Sequence, residues 1–298
     1  MASRLAYAAI SIATISVLPG CGPSSSSATQ SIQNKGSDTM IELAQAWAEA
    51  YTASSVEVSG GGSSVGITSL VNGTVDIANA SREMHKDEIA TATQRTGKDP
   101  VKHVVGYDAL AIYVHPSNPL AEIKMEDLAR IYGDKGDVTK WSQLGVKIPG
   151  CENDVIVRLS RQNSSGTWEY FKEAVLGKDA GYKLGTIDAS GSKDLVKQVA
   201  GSPCAIGYSG MGYKTPDVKV LKVKKGDGPA VLPSVEAVHD KSYPISRPLF
   251  MYTLGQPAGA VADYLTWIRG PGQDIVTRVG YVPLSAVELA PSSAQEKR

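Results

Sequence analysis

The sequence predicts an α/β fold, and three observations carry that prediction. Short apolar, β-rich runs alternate along the chain with amphipathic stretches of helical spacing. Glycine, 30 of 298 residues, falls repeatedly at the ends of those stretches, as turns and helix stops require. The length is ample for two lobes or one large α/β domain.

The first segment lies outside the fold. Arg4 precedes a mostly apolar run over 5–18, too short to span a bilayer comfortably, which ends in Leu18-Pro19-Gly20-Cys21. That ending resembles a bacterial lipobox, with a small residue just before a cysteine. The reading is a signal peptide over 1–20, a lipid on Cys21 and a flexible tether over 21–30, rich in serine. A plain secretory signal with an incidental cysteine is the alternative.

Residues 31–35 read as the first strand. Met40, Leu43, Trp47 and Tyr51 then repeat at helical spacing, a stripe that suits a core. A short strand at 56–58 leads to a helix over 65–71, ended by Asn72-Gly73, and an apolar buried strand follows at 75–80. Residues 84–96 form a helix with a charged outer face, stopped at Gly97. The β-rich stretch 101–114 is interrupted by Gly106-Tyr107-Asp108. His115-Pro116-Ser117-Asn118-Pro119 then breaks it with two prolines, a chain crossing between lobes.

Beyond that crossing come a helix at 125–132 closed by Gly133, a strand at 155–159, and a helix at 167–176 closed by Gly177. A helix at 192–200 precedes strands at 205–208 and 218–223. The stiff segment Tyr243-Pro244-Ile245-Ser246-Arg247-Pro248 leads into a strand at 249–254 and returns the chain to the first lobe. Helices at 259–269 and 273–279 close the fold, before a polar tail at 291–298.

Lys plus Arg equals Asp plus Glu at 30 each, which gives no electrostatic case for nucleic acid. Four scattered histidines with no C-x-x-C or H-x-x-x-H pairing argue against a metal site. No Gly-Lys-Ser/Thr follows a glycine run, so a nucleotide P-loop is absent, and no cofactor is expected. Cys151 and Cys204 remain after Cys21, and either a disulfide or two free buried thiols satisfies the sequence.

Four polar clusters stand where a strand hands over to a helix. They are Gly36-Ser37-Asp38-Thr39, the Ser59 to Ser64 glycine-serine loop, Ala80-Ser81-Arg82, and the run from Arg161 to Thr167. Helix starts leave backbone N–H groups unpaired and carry partial positive charge, which attracts anions. Hydroxyls add neutral donors, and Arg82 and Arg161 add planar charged forks that match an oxyanion. Any one cluster is adequately explained as a helix cap or a turn. Four together, with two arginines, point to a site for a small tetrahedral oxyanion.

Asp38 is the odd member, since a carboxylate repels an anion unless that anion carries a proton. Phosphate does so near neutral pH and sulfate does not, so Asp38 discriminates between them if it faces the ligand. The alternative is a helix cap facing away. Gly62-Ser63-Ser64-Val65-Gly66 also matches the nucleophile-elbow pattern G-x-S-x-G, but His85, His103, His115 and His239 all lie in uninformative settings. A secreted serine hydrolase or phosphatase using Ser64 is therefore a minority reading.

These clusters resemble the phosphate-binding protein of bacterial high-affinity phosphate ABC importers. Further landmarks are Asp76-Ile77-Ala78-Asn79-Ala80-Ser81-Arg82, Val105 to Leu110, Ala205-Ile206-Gly207-Tyr208 and Tyr243 to Pro248, so the resemblance spans almost the whole mature chain. It implies a two-lobed periplasmic-binding-protein type II fold, each lobe a mixed β-sheet flanked by helices, joined by two hinge strands. Lobe 1 is then expected over 31–114 and 245–290, and lobe 2 over 115–244. The implied function is capture of inorganic phosphate outside the cytoplasmic membrane, by a monomer anchored through Cys21, for delivery to an ABC permease, with no catalysis. Sulfate, arsenate or vanadate are the alternative ligands.

The resemblance places Ser37, Thr39, Ser63, Ser81, Arg161, Ser165, Gly166 and Thr167 at the ligand, and the polar clusters themselves add Asp38, Ser64 and Arg82. One position departs from the best-known branch, where an aspartate that accepts the ligand's proton follows the matching serine. Arg82 stands there in this chain, a form another branch shares, which leaves Asp38 as the candidate acceptor.

Overall fold

A computed structural model describes residues 31–289; the expected signal peptide, lipidated Cys21, tether and 291–298 tail lie outside the described residues. Eleven strands are present among them: β1 (Ile32–Gly36), β2 (Val56–Ser59), β3 (Ile77–Ala80), β4 (Pro100–Val114), β5 (Glu122–Lys124), β6 (Val157–Arg161), β7 (Ile187–Ala189), β8 (Ala205–Gly210), β9 (Lys219–Lys224), β10 (Ala230–Val231) and β11 (Ser246–Leu254). The helices that matter for the site are α1 (Ile41–Ala50), α2 (Ser63–Val71), α3 (Lys86–Thr96), α4 (Met125–Tyr132), α5 (Gly166–Phe171) and α6 (Ser192–Ala200).

The strands form one curled mixed sheet in the order β2-β1-β3-β11-β4-β8-β6-β7, with β9 paired to β4 and β5 and β10 paired to β9. β1, β2 and β3 are mutually parallel, as are β6, β7 and β8, and the antiparallel ribbon of β4 and β11 lies between these sets. The architecture is the two-lobed α/β fold expected, with β4 and β11 as the connecting strands.

β4 changes partners part-way along its length. Residues up to Ala109 pair with β11, and Leu110 to Val114 pair with β8. The change of partner strand therefore lies inside β4, ahead of the proline break at 115 where a crossing was expected. His115 to Asn118 makes only a local turn, the Asn118 N–H donating to the His115 carbonyl at 3.0 Å. Gly106-Tyr107-Asp108 does not interrupt the strand either. The irregularity is absorbed as a register shift between Leu249 and Phe250, which leaves Val105 unmatched as a bulge.

The helical stripe reads as expected: Met40, Leu43 and Trp47 are fully buried, and the Trp47 indole N–H donates to the Gly272 carbonyl at 2.8 Å. These side chains pack with Ile77, Met251, Tyr264 and Val276, and the same apolar layer continues beneath β4 to Leu195 and Val199 of α6. A second core joins α4 to β8 through Leu128, Tyr132, Phe171 and Tyr208, with the Phe171 and Tyr208 rings stacked. A third lies between α2, α3 and β11 around Leu70, Ala92 and Phe250.

The helix expected over 167–176 is α-helical only to Phe171 and continues as a π-helical segment, Lys172–Leu176, before Gly177 ends it. The short strands β5, β7 and β10 carry too few residues for their period to show in the sequence. Cys151 and Cys204 form a disulfide, closing the alternative the sequence left open and tying the start of β8 to the loop before β6.

Candidate functional site

All four polar clusters lie at the carboxyl ends of parallel strands, three from β1, β2 and β3 and one from β6. Ligands of open α/β sheets bind at that edge. Because β4 and β11 place the two parallel sets side by side, the edges face each other and their backbones touch. The Ser64 N–H donates to the Ser164 carbonyl at 3.2 Å, and the Ser164 hydroxyl donates to the Gly61 carbonyl at 3.2 Å.

Glycine is required where the two edges meet. A Cβ on Gly62, whose φ is +99°, would lie 2.4 Å from the Ser164 carbonyl oxygen. A Cβ on Gly166 would lie 2.4 Å from the Ser63 hydroxyl and 2.8 Å from that of Ser81. Both glycines exist because the opposite lobe occupies the space a side chain would need.

The hydroxyls converge. The Ser37 hydroxyl donates to that of Ser81 at 2.9 Å, the Ser81 N–H donates to the Ser63 hydroxyl at 3.1 Å, and these two hydroxyls lie 3.4 Å apart. The Thr39 hydroxyl, from the first edge, is hydrogen-bonded to that of Thr167, from the second. Ser165 caps α5, its hydroxyl accepting from the Thr167 N–H at 3.1 Å. Ser37, Thr39, Ser63, Ser81, Ser165 and Thr167 are all buried, an unusual concentration of hydroxyls in a protein interior.

Two buried guanidiniums stand at these strand ends, one bonded to Asp38 and the other to the threonine hydroxyls. Arg161, the last residue of β6 and fully buried, donates through Nη1 to the Ser192 hydroxyl and through Nη2 to Asp38 Oδ2, each at 2.8 Å. Burial pushes its pKa down and Asp38 opposes the shift. Asp38 is therefore not a cap of α1. Its other oxygen accepts the Gly61 N–H at 2.8 Å, so it bridges the β2–α2 loop and the second lobe.

The second guanidinium, Arg247 of β11, was not among the residues expected at the site. It donates to the Thr167 hydroxyl at 2.8 Å and to Asp108 Oδ2 at 3.0 Å. Asp108 is fully buried, and burial pushes its carboxyl above the usual range against the pull of Arg247. A clue was present in the sequence. A lone acid inside the apolar stretch 101–114 must find a buried cation or lose its charge.

Arg82 departs from its expected role. Its guanidinium is turned from the hydroxyl cluster to Glu88 on α3, at 2.7 Å, and to Glu169 on α5, at 2.6 Å. Burial pulls its pKa down, but the two carboxylates more than offset this and hold it raised. Glu169 also meets His85 Nε2 at 2.6 Å. The result is a clasp at the rim, an Arg82–Glu169 ion pair beside a His85–Glu169 contact, joining the first lobe to the second.

Ser64 belongs to this clasp, its hydroxyl accepting from Arg82 Nη2 at 3.0 Å. The hydrogen bonds of Ser64 among the described residues run to arginine and backbone, and His85 is engaged by Glu169. The base that a serine nucleophile needs is thus not beside it.

A family model described as the PBP superfamily domain matches residues 23–270. The chain is 33% identical over 271 residues to the phosphate-binding protein PstS of Pseudomonas aeruginosa, covering 86% of this chain and 83% of that one. It is 30% identical over 300 residues to protein SphX of Synechocystis, covering 95% and 86%. Among solved structures, a putative phosphate ABC transporter substrate-binding protein with bound phosphate, from Clostridium perfringens, superposes with a TM-score of 0.76. That structure is 27% identical and covers 86% of this chain and 100% of its own.

Proposed function

The chain belongs to the PBP superfamily and, within it, to the PstS-type phosphate-binding proteins, and on that premise we propose that it captures inorganic phosphate between its lobes for delivery to an ABC import permease. The observation that carries this reading is the meeting of buried hydroxyls from both lobes with two buried guanidiniums at the carboxyl edge of parallel strands. Such a set offers many donors in a poorly solvated space, with the guanidinium charges balanced by Asp38 and Asp108, and there charge-assisted hydrogen bonds to an oxyanion are strong. Among the described residues, the buried Nε–H groups of Arg161 and Arg247 find no acceptor, further donors of the kind an anion satisfies.

In this reading Ser37, Thr39, Ser63, Ser81, Ser165, Gly166 and Thr167 provide the donors, and Arg161 provides the charge. Asp38 accepts the proton that phosphate carries and sulfate lacks. Arg82 and Ser64 serve the rim, where closure is held. The chain works as a binding protein without turnover, outside the cytoplasmic membrane, with a lipid on Cys21 as its anchor.

Calorimetric titration of protein stripped of ligand tests the assignment, with phosphate, arsenate and sulfate compared at one pH and salt. Phosphate should bind with at least about a hundredfold preference over sulfate, roughly the effect of about 3 kcal/mol for one mismatched buried polar contact. Equal binding of the two would remove Asp38 from its role, and no binding of phosphate would end the reading altogether.

A further inference from the structure

Arg247 enters the site from neither edge but from the ribbon between them. It stands on β11 directly opposite Asp108 of β4, and the two side chains are paired and buried. The remainder of its fork reaches both lobes. Nη1 donates to the carbonyls of Ser81, at 2.9 Å, and Gly166, at 3.1 Å. Nη2 donates to the Thr167 hydroxyl at 2.8 Å and lies 3.5 Å from that of Thr39.

We propose that Arg247 is a positioning residue for oxyanion binding, which forces the Thr39–Thr167 hydroxyl pair to present its free O–H to the ligand and so couples the donors of the two lobes. This rests on the phosphate reading above.

Proton counting supports it. Two hydroxyls carry two protons, and a guanidinium offers donors only. One proton is used between Thr39 and Thr167, which are bonded to each other. The other cannot point at Arg247, so it is driven away from the guanidinium. Donation from Arg247 also polarises the pair and strengthens the bond its outer hydroxyl makes.

The groups around Arg247 leave this role intact. Asp108 balances its charge and also accepts the Met211 N–H at 3.2 Å. Tyr170 lays its ring against the guanidinium at 5.2 Å and sends its own hydroxyl to the Ser246 carbonyl. With its charge already matched by Asp108, Arg247 acts by geometry more than by field. Lysine, a point charge without the fork, should not replace it.

The test is a mutant cycle read by calorimetry with inorganic phosphate on the full mature chain. Arg247→Lys should weaken phosphate binding by about tenfold or more, the loss expected when one charge-assisted hydrogen bond goes. In a Thr39→Val/Thr167→Val background the same change should add less than about twofold, because the groups it acts through are gone. Rescue by lysine, or losses that simply multiply, would overturn the proposal. Should Arg247→Lys unfold the protein, Thr167→Val with Arg247 intact must alone show the roughly tenfold loss, and unchanged binding there overturns the proposal equally. Wild-type protein that fails to bind phosphate would instead sink the functional reading, so the two failures are distinct.

Discussion

Replacing Asp38 by asparagine should destabilise the protein and erode its preference for phosphate at the same time. Arg161 is fully buried, and its charge is met by Asp38 at 2.8 Å and by the neutral Ser192 hydroxyl. Asparagine can still accept the Gly61 N–H, but it turns an amide rather than a carboxylate toward the guanidinium. Removing one partner of a buried pair costs about 3–5 kcal/mol. The Asp38 side chain keeps 12% exposure, so the lower end, about 3 kcal/mol, applies. For a chain of this size that corresponds to a fall of roughly 6–12 °C in Tm. Differential scanning calorimetry in phosphate-free buffer reads this directly. A bound oxyanion then supplies the missing counter-charge, and the like charge that repels sulfate is gone. The ratio of sulfate to phosphate Kd, measured by titration at one pH and salt, should fall by about tenfold or more, taking a like-charge term of roughly 1–2 kcal/mol after screening. A Tm within about 2 °C of wild type, with an unchanged ratio, would show that Asp38 neither neutralises Arg161 nor meets the ligand.

Three further outcomes follow from the structure. Glu169→Gln weakens the rim clasp to Arg82 and His85, and stopped-flow displacement should show phosphate leaving about three- to tenfold faster with little change in Tm; an unaltered off-rate would make the clasp incidental. Reducing the Cys151–Cys204 disulfide releases a loop of sequence separation 53, worth about 4 kcal/mol in the chain-entropy account, so a reductant should lower Tm by roughly 8–16 °C; a constant Tm would contradict a stabilising bridge. Cys21→Ala should move the mature protein from the membrane to the soluble fraction without altering phosphate binding, and wild-type protein found entirely soluble and free of lipid would refute the anchor.

Much of the fold was legible because its signals are local. The Met40, Leu43, Trp47 stripe and the glycine stops at 97, 133 and 177 depend on neighbours a few residues away. The four polar clusters were also legible, since strand-to-helix junctions show in the apolar pattern. Partner identity was not. A sequence shows that Arg82 is a cation but not whether its anion is a ligand or a carboxylate, and Glu169 lies far along the chain. Arg247 was hidden among prolines that read as mere stiffness, and its partners at 39, 108 and 167 are brought together only by the sheet. Asp108 was read only as part of a break in the strand, although an acid within an apolar run calls for a buried cation.

The β4–β11 ribbon has a mechanical consequence. It holds the buried Arg247–Asp108 pair where β11 begins and β4 changes partners, whereas the more exposed contact of Arg82 and His85 with Glu169 sits at the rim. Rotation of one lobe against the other about that ribbon would displace each point in proportion to its distance from the axis. Groups on the axis hardly move, while those at the mouth swing through the longest arc. Arg247 would then keep hold of the threonines through the early part of such a swing, and the clasp would be the first contact to part. Distance probes placed at residues 85 and 169 should report wide excursions while a pair beside 108 and 247 stays nearly still, a leverage that puts the steady grip at the fulcrum and the release at the tip.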